Sequence, residues 1–236
     1  MKSWRKYCFF QLLICLLFGG IHIIIGMDTE DATEFMTGIY GLSLKGVDYI
    51  RALLWLLPLL SISTFCGMHI DMEVGSRKYF TLPRYGKKKI FWWTILKNTQ
   101  IGAAAMGVLS GVTLGILGVF AASYNDKASF IFVSHVVLAV VLYSVHIMFL
   151  VMFQTIMQLL TENMKLSQLV IVAILILVCF LKDLPAWIVW LCPGAWGSIN
   201  YSSVLRKGGF SPLFMLVLET ALMGSVILYV RMGRKK

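Results

Sequence analysis

Long, uninterrupted runs of apolar residues alternate along this chain with short polar stretches. The runs cover residues 7–26, 50–70, 91–121, 130–160, 168–181 and 212–230. A helix needs roughly 20 apolar residues to cross a bilayer, so only the fifth run is short and would borrow residues from its flanks. Because the runs are continuous rather than alternating, they predict helices and not the strands of a barrel. The pattern therefore predicts an all-α integral membrane protein with six transmembrane helices.

The composition supports the same class. Hydrophobic residues make up 59% of the chain and charged residues 14%, and the mean hydropathy is +0.83. A soluble chain carries about 25% charged residues. None of the polar stretches is long enough to fold by itself, so we predict a single membrane domain over residues 1–236.

Basic residues cluster at both chain ends and between the second and third apolar runs, whereas the loop after the first run is acidic. Loops rich in Lys and Arg stay in the cytoplasm, so both termini are predicted to be cytoplasmic. The first run lacks a small-x-small cleavage site and is expected to remain as an uncleaved span. The net charge of +10 is then a topology signal that favours contact with membrane lipids, and we expect no nucleic-acid partner.

Residues 71–97, DMEVGSRKYFTLPRYGKKKIFWWTILK, form the most informative connection. An acid and a glycine come first, at Glu73 and Gly75. A short amphipathic piece and a Leu-Pro-Arg-Tyr-Gly turn follow, and a lysine cluster then leads into a Trp-rich helix. Pro83 and Gly86 favour a sharp turn there. Lysines alone explain the orientation of this connection, but not the acid-x-Gly together with the Leu-Pro turn.

This order of features resembles the cytoplasmic coupling segment of ABC-2 type transporter permeases, in the short six-span form of Gram-positive bacteria. The resemblance implies a coupling helix over residues 75–80 that docks onto an ATP-hydrolysing partner subunit, which would bind ATP and Mg²⁺. It also implies a second permease subunit, identical or related. The residues implied to couple the two subunits are Glu73, Gly75, Tyr79, Phe80, Pro83 and Arg84. The alternative is a connection that is merely basic and orients the chain.

The stretch between the fifth and sixth runs, residues 182–211, is too apolar for an exposed loop and too broken by Pro and Gly for a span. Such stretches are typical of re-entrant or interfacial segments with tryptophans at headgroup level. Trp187, Trp190 and Trp196 fit that role. The placement resembles the outer-leaflet hairpin of ABC-2 permeases, which would put these tryptophans on the substrate path. A tryptophan belt that only anchors the loop is the alternative.

Glu219 is the one acid well inside an apolar run, which makes it a candidate for the substrate path. It could form a structural ion pair with Arg51 or Arg206, or contact a cationic substrate. His135 and His146 lie about 16 Å apart along one helix, too far to share a metal. Each is expected to be a packed or water-contacting histidine, with a proton relay as the alternative.

The third run carries a stripe of small residues spaced by four: Ala103, Gly107, Gly111 and Gly115. Residues four apart share one helix face, so this stripe predicts close helix packing. The contact could lie inside one subunit, or it could line a subunit interface.

Motifs for chemistry within the chain are missing. The Gly86-Lys87 pair lacks both the upstream glycine and the Ser or Thr of a P-loop. There is no HExxH sequence or other intramembrane hydrolase signature, and the cysteines lack metal-ligand spacing. We therefore expect no enzyme activity, metal or cofactor in this chain, and any ATP hydrolysis would occur in the partner.

The sequence thus favours the permease subunit of an ABC exporter in the bacterial plasma membrane. It would move an amphipathic or lipid-like compound, such as an antimicrobial peptide, for export, drug resistance or self-immunity. Two alternatives remain open: a non-transporting membrane anchor or sensor that recruits a cytoplasmic partner, and a membrane-embedded lipid-modifying enzyme.

Overall fold

The computed structural model describes residues 2–26, 49–76, 88–124, 130–178, 180–181, 185–204 and 207–232. Seven α-helices lie in these ranges, and a π-helical turn and two 3-10 turns accompany them. In chain order the α-helices are α1 (Lys2–Gly26), α2 (Tyr49–Asp71), α3 (Lys88–Tyr124), α4 (Phe130–Thr161), α5 (Met164–Val178), α6 (Ala186–Leu191) and α7 (Pro212–Met232). The π-helical turn Met72–Ser76 continues α2, and the 3-10 turns Pro193–Ala195 and Ile199–Tyr201 follow α6.

Four of these helices, α1, α3, α4 and α7, are long and apolar enough to cross a membrane. The described residues are thus all-helical, as predicted, and four of the six predicted spans are long and apolar enough to cross a membrane. Helix α2 has 23 residues and contains Pro58, and α5 is an apolar helix of 15 residues. Both pack in the same bundle as the four long helices.

Helix α5 begins four residues before the predicted start of the fifth run and ends at Val178 instead of Leu181. The reason is the tight turn between α4 and α5. Glu162 adopts a left-handed backbone with φ of 52°, and the Asn163 side chain accepts a hydrogen bond from the Leu166 backbone N–H at 3.1 Å. An Asn that caps the first turn starts a helix at once, so α5 includes the polar residues after the turn.

Helices that follow one another in the chain run in opposite directions. The Trp4 ring lies 4.5 Å from the His69 ring, so the start of α1 meets the end of α2. The small-residue stripe of α3 faces α4 with the opposite direction: Gly107 lies against Ile147, and Gly111 lies against Val140 and Ser144. This stripe therefore makes a contact inside one chain. A larger side chain at Gly111 would press on the Ser144 hydroxyl and the Val140 side chain, each 3.2 Å from an added Cβ.

The arrangement gathers the start of α1, the end of α2, the start of α3, the end of α4 and the end of α7 at one end of the bundle. We call this the basic end, because Lys2, Arg5, Lys6, Lys88 and Arg231 all belong to it. The capping segment, residues 185–204, lies toward the opposite end, where α5 stops and α7 begins.

Buried glutamines tie α4 to α2. The Ser63 hydroxyl donates to Gln154 Oε1 at 2.7 Å, and Gln154 Nε2 donates to the Ser63 carbonyl at 3.0 Å. One turn further, Gln158 Nε2 donates to the Gly67 carbonyl at 3.1 Å. Gly67 leaves room for the Gln154 amide, since an added Cβ would lie 2.8 Å from Gln154 Nε2. Two successive turns of α4 are thus hydrogen-bonded to two successive turns of α2.

A second buried glutamine joins three helices. Gln11 on α1 donates to the Ser110 hydroxyl on α3 at 2.9 Å and to the Pro58 carbonyl on α2 at 3.1 Å. Its Oε1 accepts from the Ser61 hydroxyl at 2.6 Å. Both ends of the Gln11 amide are therefore satisfied although the side chain is fully buried, and the contacts fix the register of α1 against α2 and α3.

The Ser63–Gln154 hydrogen bond should contribute measurably to stability. We expect a double-mutant cycle of Ser63→Ala and Gln154→Ala, measured by reversible unfolding in detergent micelles, to give a coupling energy of about 0.6–1.7 kcal/mol. Thr220→Val is the matched control, because the exposed Thr220 hydroxyl bonds only within its own helix. A coupling energy of zero would contradict the described contact.

Candidate functional site

The end of α2 carries the first residues of the segment that resembles a coupling helix. Residues Met72–Ser76 form a π-helical turn, a form of helix that is often found at functional sites. Within it Glu73 is half-buried, Val74 is buried and Gly75 is exposed. The predicted coupling helix over residues 75–80 shares only Gly75 and Ser76 with this turn. Its other implied coupling residues, Tyr79, Phe80, Pro83 and Arg84, lie outside the described residues.

An apolar cluster holds the two flanks of this segment together. It consists of Ile70, Val74, Phe91, Ile95 and Leu159, all buried, and we call it the anchor cluster. Its members come from the end of α2, the start of α3 and the end of α4. Residues on both sides of the segment between α2 and α3 are therefore packed into one body with α4.

The capping segment is the least regular part of the described chain and also one of its most buried. Every residue from 194 to 202 is buried, although the backbone there forms only 3-10 turns and bends. Two glycines make this possible. A Cβ atom on Gly194 would lie 2.6 Å from the Ile174 carbonyl oxygen on α5, and one on Gly197 would overlap the His146 ring on α4.

The three tryptophans of the capping segment have different environments. Trp187 and Trp190 are 65% and 40% exposed, whereas Trp196 is 9% exposed. The Trp196 indole N–H donates to the Trp190 carbonyl at 2.9 Å, and its ring lies 5.6 Å from the Phe149 ring on α4. Trp196 thus anchors the segment to α4, while Trp187 and Trp190 present apolar surface outward.

Below Gly197 lies a buried pair of ionisable side chains. His146 Nδ1 on α4 and Glu219 Oε1 on α7 are 2.7 Å apart, and the two side chains are 2% and 0% exposed. An unprotonated imidazole nitrogen and a carboxylate oxygen are both acceptors, so this contact requires a proton between them. The pair joins α4 to α7 in the middle of the bundle.

The outer atoms of this pair have no hydrogen-bond partner among the residues that the structure describes. This applies to His146 Nε2 and Glu219 Oε2, and also to the buried Ser198 hydroxyl of the capping segment. Charged groups in such surroundings are costly unless they are paired. The hydrogen bond between His146 and Glu219 is the main compensation that the described residues offer for burying both side chains.

Sequence reasoning singled out both members of this pair but did not join them. The sequence offers Arg51, Arg206 or a cationic substrate as contacts of Glu219, and the Arg51 side chain and Arg206 lie outside the described structure. It predicts His135 and His146 as packed or water-contacting histidines; His146 is buried and His135 is half-buried. The sequence signal was the presence of an acid and a histidine within two apolar runs, since such groups require partners in a bilayer.

Other chemical groups near the site are few. Within the described ranges, no three His, Cys, Asp or Glu side chains come together in a way that could hold a metal ion. Cys192 lies in the capping segment, and burial raises the pKa of its thiol above the ordinary value, partly offset by hydrogen bonds from the Gly194 and Ala195 backbones. It should react slowly with thiol reagents at neutral pH, because the thiolate is the reactive form.

Removing one member of the His146–Glu219 pair should be more harmful than removing both. We expect His146→Leu or Glu219→Leu alone to lower the free energy of unfolding by about 3–5 kcal/mol, because the remaining group stays buried without its partner. The double variant should be more stable than either single variant. Thermal unfolding of the purified proteins in detergent measures this, with Thr220→Val as control. Additive losses would show that the pair is not coupled.

Gly197→Ala should displace the capping segment from His146. Overpacking of this kind costs about 1–3 kcal/mol, and the displaced segment should expose Cys192. The measurement is the rate of maleimide labelling in a chain that keeps Cys192 as its sole cysteine, and we expect the variant to label faster than the parent. Gly20→Ala is the control, since an added Cβ there meets nothing within 4 Å. Equal labelling of the Gly197 variant and the parent would contradict this packing.

Comparison of the chain with protein-family models, with curated proteins and with solved structures gave no match. A role for the protein must therefore be argued from three features: the anchor cluster, the capping segment and the His146–Glu219 pair. Helix α4 contributes side chains to the anchor cluster and to the pair, and it packs against the capping segment.

Proposed function

We propose that this chain is the membrane subunit of an ATP-driven exporter of the ABC-2 type. In this proposal α1, α2, α3, α4, α5 and α7 cross the plasma membrane with both termini in the cytoplasm. Two such subunits, identical or related, assemble with two ATP-binding subunits and move an amphipathic compound such as an antimicrobial peptide. The observation that carries the proposal is the basic segment of residues 71–97, whose flanks are packed into the anchor cluster.

The charge distribution supports the orientation. Residues 77–97 contain seven Lys or Arg and no acid, and such connections remain on the cytoplasmic side. The basic end of the bundle then faces the cytoplasm, where an ATP-binding subunit would be found. The acidic loop between α1 and α2 and the capping segment face outward.

The anchor cluster supports a coupling role for the segment. A partner that moves residues 77–87 would pull on the end of α2 through Val74 and on the start of α3 through Phe91. Both side chains pack with Leu159, so α4 would respond to the same movement. Close-packed interiors transmit such displacements because they contain few voids.

The capping segment fits a re-entrant piece of the outer leaflet. Irregular backbone is tolerated at membrane depth only where protein buries it, and residues 194–202 meet that condition. Of the residues suggested for the substrate path, Trp187 and Trp190 are accessible to a compound in the outer leaflet. Trp196 and Glu219 are internal in this conformation, so they would contact a compound only if the capping segment moved away from α4.

The test is purification of the tagged chain from its native membrane in a mild detergent. We expect a polypeptide that is photolabelled by azido-ATP to co-purify, together with vanadate-sensitive ATP hydrolysis. In a triple variant with Tyr79→Ala, Phe80→Ala and Arg84→Ala, the photolabelling and the ATP hydrolysis should each fall at least about tenfold. Losses of this size are expected when central contact residues are truncated. Gly75→Leu should have the same effect by blocking the contact.

Gly20→Leu is the matched control for Gly75→Leu, because both glycines have open space around them. Correctly inserted parent chain that brings down no ATP-binding polypeptide after cross-linking would overturn the proposal. An ATPase that is recovered but is not stimulated by added cationic amphipathic peptide would favour the anchor or sensor. Lipid turnover by the purified chain would instead favour the membrane enzyme.

A further inference from the structure

Two apolar grooves flank α3 near the basic end of the bundle. The larger has a volume of about 570 Å³ and lies between α3, α4 and α7, where Trp92, Leu160, Ser225 and Tyr229 line it. The smaller, of about 250 Å³, lies on the other side of the α3–α7 contact and includes Lys97 and Ile227. The buried Leu96 lines both grooves, so the two grooves adjoin at this side chain.

The shape and lining of these grooves suit hydrocarbon chains. The larger groove falls within the range of roughly 300–1,000 Å³ that is usual for ligand pockets. The α4 and α7 side chains at its edge include the exposed Leu160 and Tyr229, and Ile101 is exposed beside the smaller groove. Two apolar grooves that adjoin at one side chain suit the two acyl chains of one phospholipid.

The helix ends that line the grooves carry charges of one sign. They are residues 88–104, 148–161 and 225–232, and they contain Lys88, Lys89, Lys97 and Arg231 but no acid. The acids near this end lie on other segments: Asp71 and Glu73 at the end of α2 and in its π-helical turn, and Glu162 on the exposed turn after α4. Basic side chains at such a position attract anionic headgroups.

The basic and aromatic side chains near the grooves lie at similar positions along the bundle axis. Lys97 and Ile227 line the same groove, so Arg231 lies one helical turn nearer the basic end of the bundle than Lys97. A Lys below the headgroup level reaches upward with its ammonium group while its methylene stem stays in apolar surroundings. Trp92 and Tyr229 line the larger groove, and Trp and Tyr are the residue types that favour the headgroup level.

We propose that these two grooves bind one anionic phospholipid of the leaflet at the basic end. One acyl chain lies on each side of Leu96, and the phosphate contacts Arg231 and Lys97. The site requires only that the chain is in a membrane, so it does not depend on transport or on an ATP-binding subunit. Its occupant would fill the gap between α3 and α7 and hold both helices against α4.

The experiment is native mass spectrometry of the delipidated chain, titrated with phosphatidylglycerol or with phosphatidylcholine of the same acyl chains. We expect one phosphatidylglycerol to bind more tightly than phosphatidylcholine. Lys97→Gln and Arg231→Gln should each weaken phosphatidylglycerol binding about fivefold, the effect of one basic residue near a charged headgroup. Phosphatidylcholine binding should change little in these two variants.

Ser225→Trp should fill the larger groove and abolish tight binding of either lipid. Its control is Leu228→Trp, at an exposed residue of α7 that does not line either groove, which should bind lipid as the parent does. Equal affinity for the two lipids, or unchanged binding in the Lys97 and Arg231 variants, would overturn the proposal. If Ser225→Trp does not fold, those two charge variants alone decide the outcome.

Discussion

Polar side chains that must find partners inside an apolar bundle decide how these helices are assembled. Contact between two apolar helix faces gains little free energy when lipid is the alternative environment. Hydrogen bonds and close packing therefore fix the register of the helices. Gln154 and Gln158 set α4 against α2, and Gln11 sets α1 against α2 and α3. His146 sets α4 against α7 through Glu219. Helix α4 takes part in most of these ties, which makes it the central element of the fold.

The position of α4 gives the proposed mechanism a physical path. Leu159 belongs to the anchor cluster near the basic end, and His146 lies under Gly197 of the capping segment. The thirteen residues from one to the other span about 20 Å of continuous helix at the usual rise. A rigid helix of that length carries a shift at one end to the other without any change in its own structure. The capping segment would respond, because Gly197 leaves no free space above the His146 ring.

Much of the fold follows from the sequence because long apolar runs allow few alternatives in a bilayer. The starts of α4 and α7 coincide with the starts of their apolar runs at Phe130 and Pro212. Helix α5 begins before its apolar run, as expected of a short run that borrows residues from its flank, because the Asn163 cap recruits polar residues that hydropathy assigns to the loop. The partner of Glu219 could not be predicted, because a sequence gives the need for a partner but not which helix faces meet. Burial of residues 194–202 is likewise a packing outcome, although Pro and Gly in that stretch exclude a regular span.

Gly75 is a position at which contacts inside the chain can be distinguished from contacts with a partner as the reason for a glycine. Glycine is usually needed where the backbone is left-handed or where another group approaches closely. Neither reason applies here: among the described glycines only Gly208 has a positive φ, and a Cβ on Gly75 would meet nothing within 4 Å. Gly197 and Gly194, in contrast, are required by contacts inside the chain. Contacts among the described residues therefore give no reason for glycine at position 75, whereas in the proposed transporter close approach of the ATP-binding subunit to the π-helical turn would give one.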